Sequence, residues 1–145
     1  MTSTDLVGTW QLVTWEAHPE GGVVTHPLGP HAVGYIIYTA DGHMSATLMR
    51  QDRQAFREGN MHAATAAEKI AAIGSCVAYA GTYRLEPGRV IHHVLASLLP
   101  NWVGTDLERY IEWTDGQLVL STPVTTSPDG SIATQRLVWE RVHTA

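Results

Sequence analysis

The chain of 145 residues has a single cysteine, Cys76, so no intrachain disulfide can brace it. That fits a reducing compartment. Basic residues are few: nine Lys and Arg stand against fourteen Asp and Glu, for a formal charge of −5, and no dense cationic run occurs. Duplex nucleic acid is held by clustered cations that displace its counterions, so nucleic-acid binding is not expected. No apolar run approaches the roughly 20 residues of a membrane-spanning helix, so no membrane partner is expected. The opening Met-Thr-Ser-Thr-Asp lacks the basic lead and apolar core of a secretion signal. The expected location is the cytoplasm.

Several chemical signatures are missing as well. There is no Gly-x-Ser-x-Gly elbow for a nucleophilic serine. There is no Walker loop or Gly-x-Gly-x-x-Gly turn, which argues against a nucleotide cofactor, and no cofactor is expected. His18, His26 and His31 share a loop, but their spacing fits no zinc pattern, so no metal is expected. Cys76 has no obvious local base and reads as a small buried residue.

What the chain does have is strand pattern. Hydrophobic residues make up 44% and charged residues 16%, a globular balance without the charge excess of disorder. Residues 1–145 read as one domain, a size that suits a single core. Residues 8–16 (GTWQLVTWE) are rich in aromatic and β-branched side chains, which favour strand. Residues 18–31 carry Gly21, Gly22, Pro27, Gly29 and Pro30 and predict a long loop. Residues 33–39 and 43–49 form strands two and three around an Asp41-Gly42 turn.

The pattern then changes. Residues 62–73 (HAATAAEKIAAI) are alanine-rich without Gly or Pro and predict a helix that stops at Gly74. Strands resume at 77–85, 90–99, 107–113, 117–122 and 132–142, with a Pro128-Asp129-Gly130 loop before the last. Eight strands joined mostly by tight turns predict an all-β, antiparallel, up-and-down barrel with one α-helix inserted between strands three and four. At that size the interior can hold one small ligand.

Gly8-Thr9-Trp10 resembles the Gly-x-Trp signature of the lipocalin and fatty-acid-binding superfamily. Longer stretches are similar to the bacterial lipocalin-like domain family: GTWQLVTWE, PLGPHAVGYIIYTADGHMSA, AYAGTYRL, HHVLASLLPNWVGTD with Arg109, and the terminal VWERV. The resemblance implies a calycin barrel whose Trp10 closes the base beneath an arginine of the last strand, Arg136 or Arg141. It implies little about activity. Related barrels act as carriers, and some lipocalin-like proteins serve as cyclases or isomerases. Unlike secreted lipocalins, this chain shows neither a disulfide nor a leader, so an extracellular transport role is not carried over.

Alternation assigns side chains to the interior. In the fourth strand Tyr79, Gly81, Tyr83 and Leu85 face inward. In the fifth, Val90, His92, Val94, Ala96 and Leu98 form the inner row, with His93 outside; a one-residue slip would exchange the two histidines. In the sixth, Glu108, Tyr110 and Glu112 belong in water, which places Arg109 and Ile111 inside. A buried cation needs a partner. Asp106 is one candidate, and the carboxylate, enolate or carbonyl of a ligand is another.

Two functional readings follow, with a third in which side chains fill the barrel and it serves a structural or partner-binding role. In the first, the interior carries or senses a hydrophobic small molecule, lined by Tyr35, Tyr38, Met44, Tyr79, Val94, Trp102, Ile111 and Trp139. Trp10 and Trp15 read as core or barrel base, and Met44, Leu48 and Met49 as lining or core. In the second, His92, Arg109 and Tyr83 are catalytic in a cofactor-independent isomerase, cyclase, dehydratase or hydrolase. There His92 moves a proton near neutral pH, Arg109 stabilises an oxyanion, and tyrosine phenols orient a carbonyl. An inward histidine on an apolar strand is more often a hydrogen-bonded structural residue. If the chain self-associates, a homodimer is the expected state.

Overall fold

Alternating apolar and polar residues become strands here because one face of each has an interior to bury against. A computed structural model describes residues 3–126 and 130–143 of the chain. After a short helix α1 (Ser3–Leu6), strands β1 (Gly8–Pro19), β2 (Val33–Tyr38) and β3 (His43–Met49) run as a meander. A 3-10 turn (Met61–Ala63) and helix α2 (Ala66–Gly74) follow. Strands β4 (Cys76–Glu86), β5 (Arg89–Ser97), β6 (Asp106–Thr114) and β7 (Gln117–Ser121) continue the meander, with a 3-10 turn (Pro100–Trp102) between β5 and β6. The two-residue β8 (Thr125–Thr126) and the long β9 (Ile132–Arg141) complete the sheet.

All pairings are antiparallel, in the order β1 to β7, then β9 with β8 on its flank. Strand β9 also pairs with β1, from Trp10 opposite Arg141 to Pro19 opposite Ala133. That pairing closes β1–β7 and β9 into the expected eight-stranded barrel, with α2 between β3 and β4. Pro128 and Asp129 of the expected loop lie outside the described residues.

The differences in detail have local causes. The helix expected over 62–73 is split, because Thr65 caps α2: its hydroxyl accepts from the Glu68 N–H at 3.1 Å, and Glu68 returns a bond from the Thr65 N–H at 2.9 Å. Such a reciprocal cap fixes a helix start. Neither α1 nor β8 was expected; at four and two residues they carry too little pattern to read.

The base is closed by Trp10. Its indole N–H donates to the Leu6 carbonyl at 2.9 Å, which docks α1 under the barrel. Arg141, rather than Arg136, lies over the ring, with its guanidinium carbon 4.2 Å from the ring centroid. Arg141 also donates to the Val7 and Asp5 carbonyls, each at 2.8 Å. Gly8, at φ +136°, leaves room for that arginine, since a Cβ there would lie 2.6 Å from Nη1.

Two β-bulges shape the wall. One falls between Leu12 and Thr14 of β1, the other opposite Ala80 and Gly81, where β5 carries the extra residue. The second throws Leu95 (56% exposed) and Ala96 to solvent, which corrects the expectation that Ala96 faces inward. Gly81 is pressed against this bulge, and a Cβ there would stand 1.9 Å from the His93 carbonyl oxygen. Because the obstacle is backbone, Gly81→Ala should destabilise the fold by about 3 kcal/mol or more. Urea denaturation at pH 7 checks this, and an unchanged midpoint would contradict the packing described.

Candidate functional site

The barrel is not filled by its own side chains. A cavity of about 670 Å³ runs from the interior to the end formed by the start of β4, the end of β5 and the β7–β8 connection. Its wall is mainly apolar and aromatic, including Trp15, Ile36, Leu48, Tyr79, Leu120, Leu137 and Trp139. Ile73, Leu98, Leu99 and Val124 border it and are exposed, so the mouth is greasy as well. Trp102, carried on the 3-10 turn after β5, stands edge-on to Tyr79 with ring centroids 5.4 Å apart.

The wall also carries polar side chains, among them Tyr79, His92, Asp106, Glu108, Arg109 and Gln135. His92 is fully buried on β5, and both its ring nitrogens are taken: Nε2 lies 2.7 Å from the Tyr38 hydroxyl and Nδ1 lies 2.8 Å from the Tyr79 hydroxyl. A neutral imidazole has one donor and one acceptor, so one phenol donates to the ring and the other accepts from it. Burial, reinforced by the charge of Arg109, pushes the His92 pKa well below its ordinary value. Burial also raises both phenols, Tyr38 strongly; at Tyr79 the nearby Arg109 opposes the rise. The cluster is therefore held neutral. That corrects the expectation of a proton-transfer group poised near neutrality.

Arg109 reaches the cavity from β6, where Val90 of β5 is its cross-strand neighbour. Its Nη1 donates to the Glu108 carbonyl at 2.9 Å. Asp106 is not its partner: that carboxylate borders the cavity but pairs with His93 at 2.8 Å and Arg84 at 3.3 Å. Among the described residues Arg109 makes no ion pair.

His92, Arg109, Tyr79, Trp102 and Trp139 thus share the cavity wall. Tyr38 is buried behind His92, Met44 and Val94 are core, and Ile111 packs against the core without lining the cavity. Tyr35 is misassigned by the sequence reading. In β2 it alternates with the inward Gly34 and Ile36, and it is 44% exposed on the outer face. Tyr83 is also displaced: it packs edge-on against Tyr38 near the opposite end and donates to the Thr39 carbonyl at 2.8 Å, away from the cavity. Its hydroxyl is taken by that carbonyl.

Sequence reasoning missed Trp15, which lines the cavity and donates its indole N–H to Gln135 Oε1 at 2.8 Å. The β1 bulge turns it inward: Trp10 and Leu12 face the interior before the bulge, Trp15 and Ala17 after it. Cys76 borders the cavity and is only partly buried. His18 contacts Glu16 and His26 contacts the Trp15 carbonyl, and among the described residues no His, Cys, Asp and Glu cluster is arranged to hold a metal.

Residues 7–142 match the lipocalin-like domain family. The chain belongs to that family. A lipocalin-like barrel is a ligand-binding fold. No curated protein matches the chain. Among solved structures, a lipocalin-like protein from Bacteroides uniformis is similar at 13% identity and a TM-score of 0.48, covering 95% of this chain and 99% of its own. The fluorescent protein UnaG is similar at 11% identity and a TM-score of 0.44, covering 97% and 100%. Among the described residues of this lipocalin-like domain, no helix is long and apolar enough to cross a membrane.

The depressed His92 pKa has a thermodynamic consequence. Below about pH 6.5 the unfolded chain takes up a proton that the folded imidazole refuses, so stability falls as pH falls. The contribution is full above that value, and its loss is limited to about 1.4 kcal/mol per pH unit for one group. Urea midpoints at pH 7 and pH 5 should show a loss in the native protein that is smaller in His92→Gln. Equal losses in both would contradict a neutral buried imidazole.

Proposed function

We propose that this lipocalin-like domain binds an apolar small molecule carrying an anionic or carbonyl group, as a carrier or sensor in the cytoplasm. One observation carries the reading: a cavity of about 670 Å³, mostly apolar, presents at its wall an arginine with no ion pair among the described residues. Apolar cavities with a few placed polar groups are the usual form of a small-molecule site. A guanidinium offers forked donors that suit a carboxylate, enolate or carbonyl oxygen. The exposed apolar residues at the mouth give an apolar molecule a surface to approach, and the Asp106 and Glu108 carboxylates that also border the cavity are paired with His93, Arg84 and Arg89.

A cofactor-independent enzyme on a similar substrate is the second reading, and Arg109 beside the Tyr79 hydroxyl is the observation that favours it. It is weaker because His92 has no nitrogen free for substrate. A barrel filled by its own side chains has no support in a cavity of this volume.

Two dyes of one skeleton separate the parts of the main reading. N-phenyl-1-naphthylamine is neutral, and 8-anilinonaphthalene-1-sulfonate adds one anionic group. Both should bind with enhanced fluorescence. Arg109→Gln should weaken the sulfonate by about tenfold, the scale of a lost charge-assisted hydrogen bond, and leave the neutral dye unchanged. Absence of binding by either dye would overturn the cavity reading, and equal losses for both would remove Arg109 from it.

A further inference from the structure

Trp139 is 1% exposed and stands in the cavity wall, yet its indole N–H has no acceptor among the described residues. Buried donors are nearly always paired, and an exception calls for a physical reason. The fold meets this need at two other indoles. Trp10 donates to Leu6 and Trp15 to Gln135.

Its position in the barrel is set by register. Trp139 lies opposite Leu12 on β1 and Leu118 on β7, and Leu118 lies opposite Trp113 on β6. That row sits toward the base that Trp10 closes. Arg109 precedes Trp113 by four residues on the same strand, about 13 Å along β6 in the direction of the mouth at 3.3 Å per residue. Four is an even number, so both rows share the inner face. The cavity therefore offers donors at two depths: a cation nearer the mouth and a neutral N–H nearer the base.

We propose that Trp139 Nε1–H is a second ligand anchor, which receives a neutral oxygen acceptor at the end of the ligand that enters first. This rests on the binding reading above and narrows it. The ligand class is an elongated apolar acid with a carbonyl, ether or phenolic oxygen at the end far from its anionic group. Charge at the deep end is excluded: Ile36, Leu120 and Leu137 make the wall apolar there, and an indole cannot neutralise an anion. His92 cannot serve in place of Trp139, because both its nitrogens are bonded to tyrosines.

The test uses two probes of one shape, 6-methoxy-2-naphthoate and 6-ethyl-2-naphthoate, which differ by an oxygen in place of a methylene. Each is titrated by calorimetry and by displacement of N-phenyl-1-naphthylamine. The native protein should prefer the methoxy compound by about tenfold, or ~1.4 kcal/mol. Trp139→Phe should abolish the preference, read as the ratio of the two affinities within that variant. Arg109→Gln should weaken both probes by the same factor and leave their ratio intact.

A readout on the native protein alone guards against misfolding of the variant. In a ¹H–¹⁵N spectrum of the five tryptophan indoles, one resonance should move with the methoxy probe and stay with the ethyl probe. Equal affinity of the two probes with every indole unmoved, or a preference that survives Trp139→Phe, overturns the anchor and leaves the cavity reading standing. Failure of both probes to displace the dye overturns both.

Discussion

The interior of the barrel exists because β1 pairs with β9. That pairing joins the two ends of the meander and turns a sheet into a wall with an inside. Closure satisfies strand edges that would otherwise recruit another chain. It also fixes register, because a slip of one residue would turn every inward side chain outward. The cap of Trp10, Arg141 and α1 seals one end of this wall and leaves the other open.

Closure also sets the electrostatics of the interior. Inside the wall a charge has little water to solvate it, so polar groups must satisfy each other or stay neutral. Tyr38, His92 and Tyr79 do both: two phenols take both nitrogens of one imidazole, and burial keeps all three uncharged. Arg109 cannot become neutral at any ordinary pH. Its charge acts on His92 and on both tyrosines from the cavity wall. A neutral, rigid cluster beside a permanent cation is suited to orienting a ligand more than to exchanging protons with it.

Much of the architecture was legible in the residues, because two-residue periodicity and Gly or Asp-Gly turns report the strands directly. The inward placement of Arg109 was legible for the same reason: Glu108 and Glu112 flank it in the alternation and demand water. Features that depend on more than one strand were not legible. The bulge in β1 reverses the alternation and brings Trp15 to the cavity, and nothing in GTWQLVTWE marks it. Tyr35 and Tyr38 looked equivalent as aromatic residues of one strand, but three residues apart they lie on opposite faces. Tyr83 and Tyr79 share a face, yet four residues of strand carry them to different ends of the barrel. The orphaned N–H of Trp139 is visible only once every neighbouring acceptor has been placed.

On the proposed function, the closed wall encloses a space that receives one apolar molecule with a polar end. Native mass spectrometry of the protein purified gently from its own host is the deciding measurement. The spectrum should show an ion heavier than the bare chain by one small organic molecule, and Arg109→Gln should lose that added mass. A bare chain from the host that also takes up no apolar acid when one is supplied would contradict it.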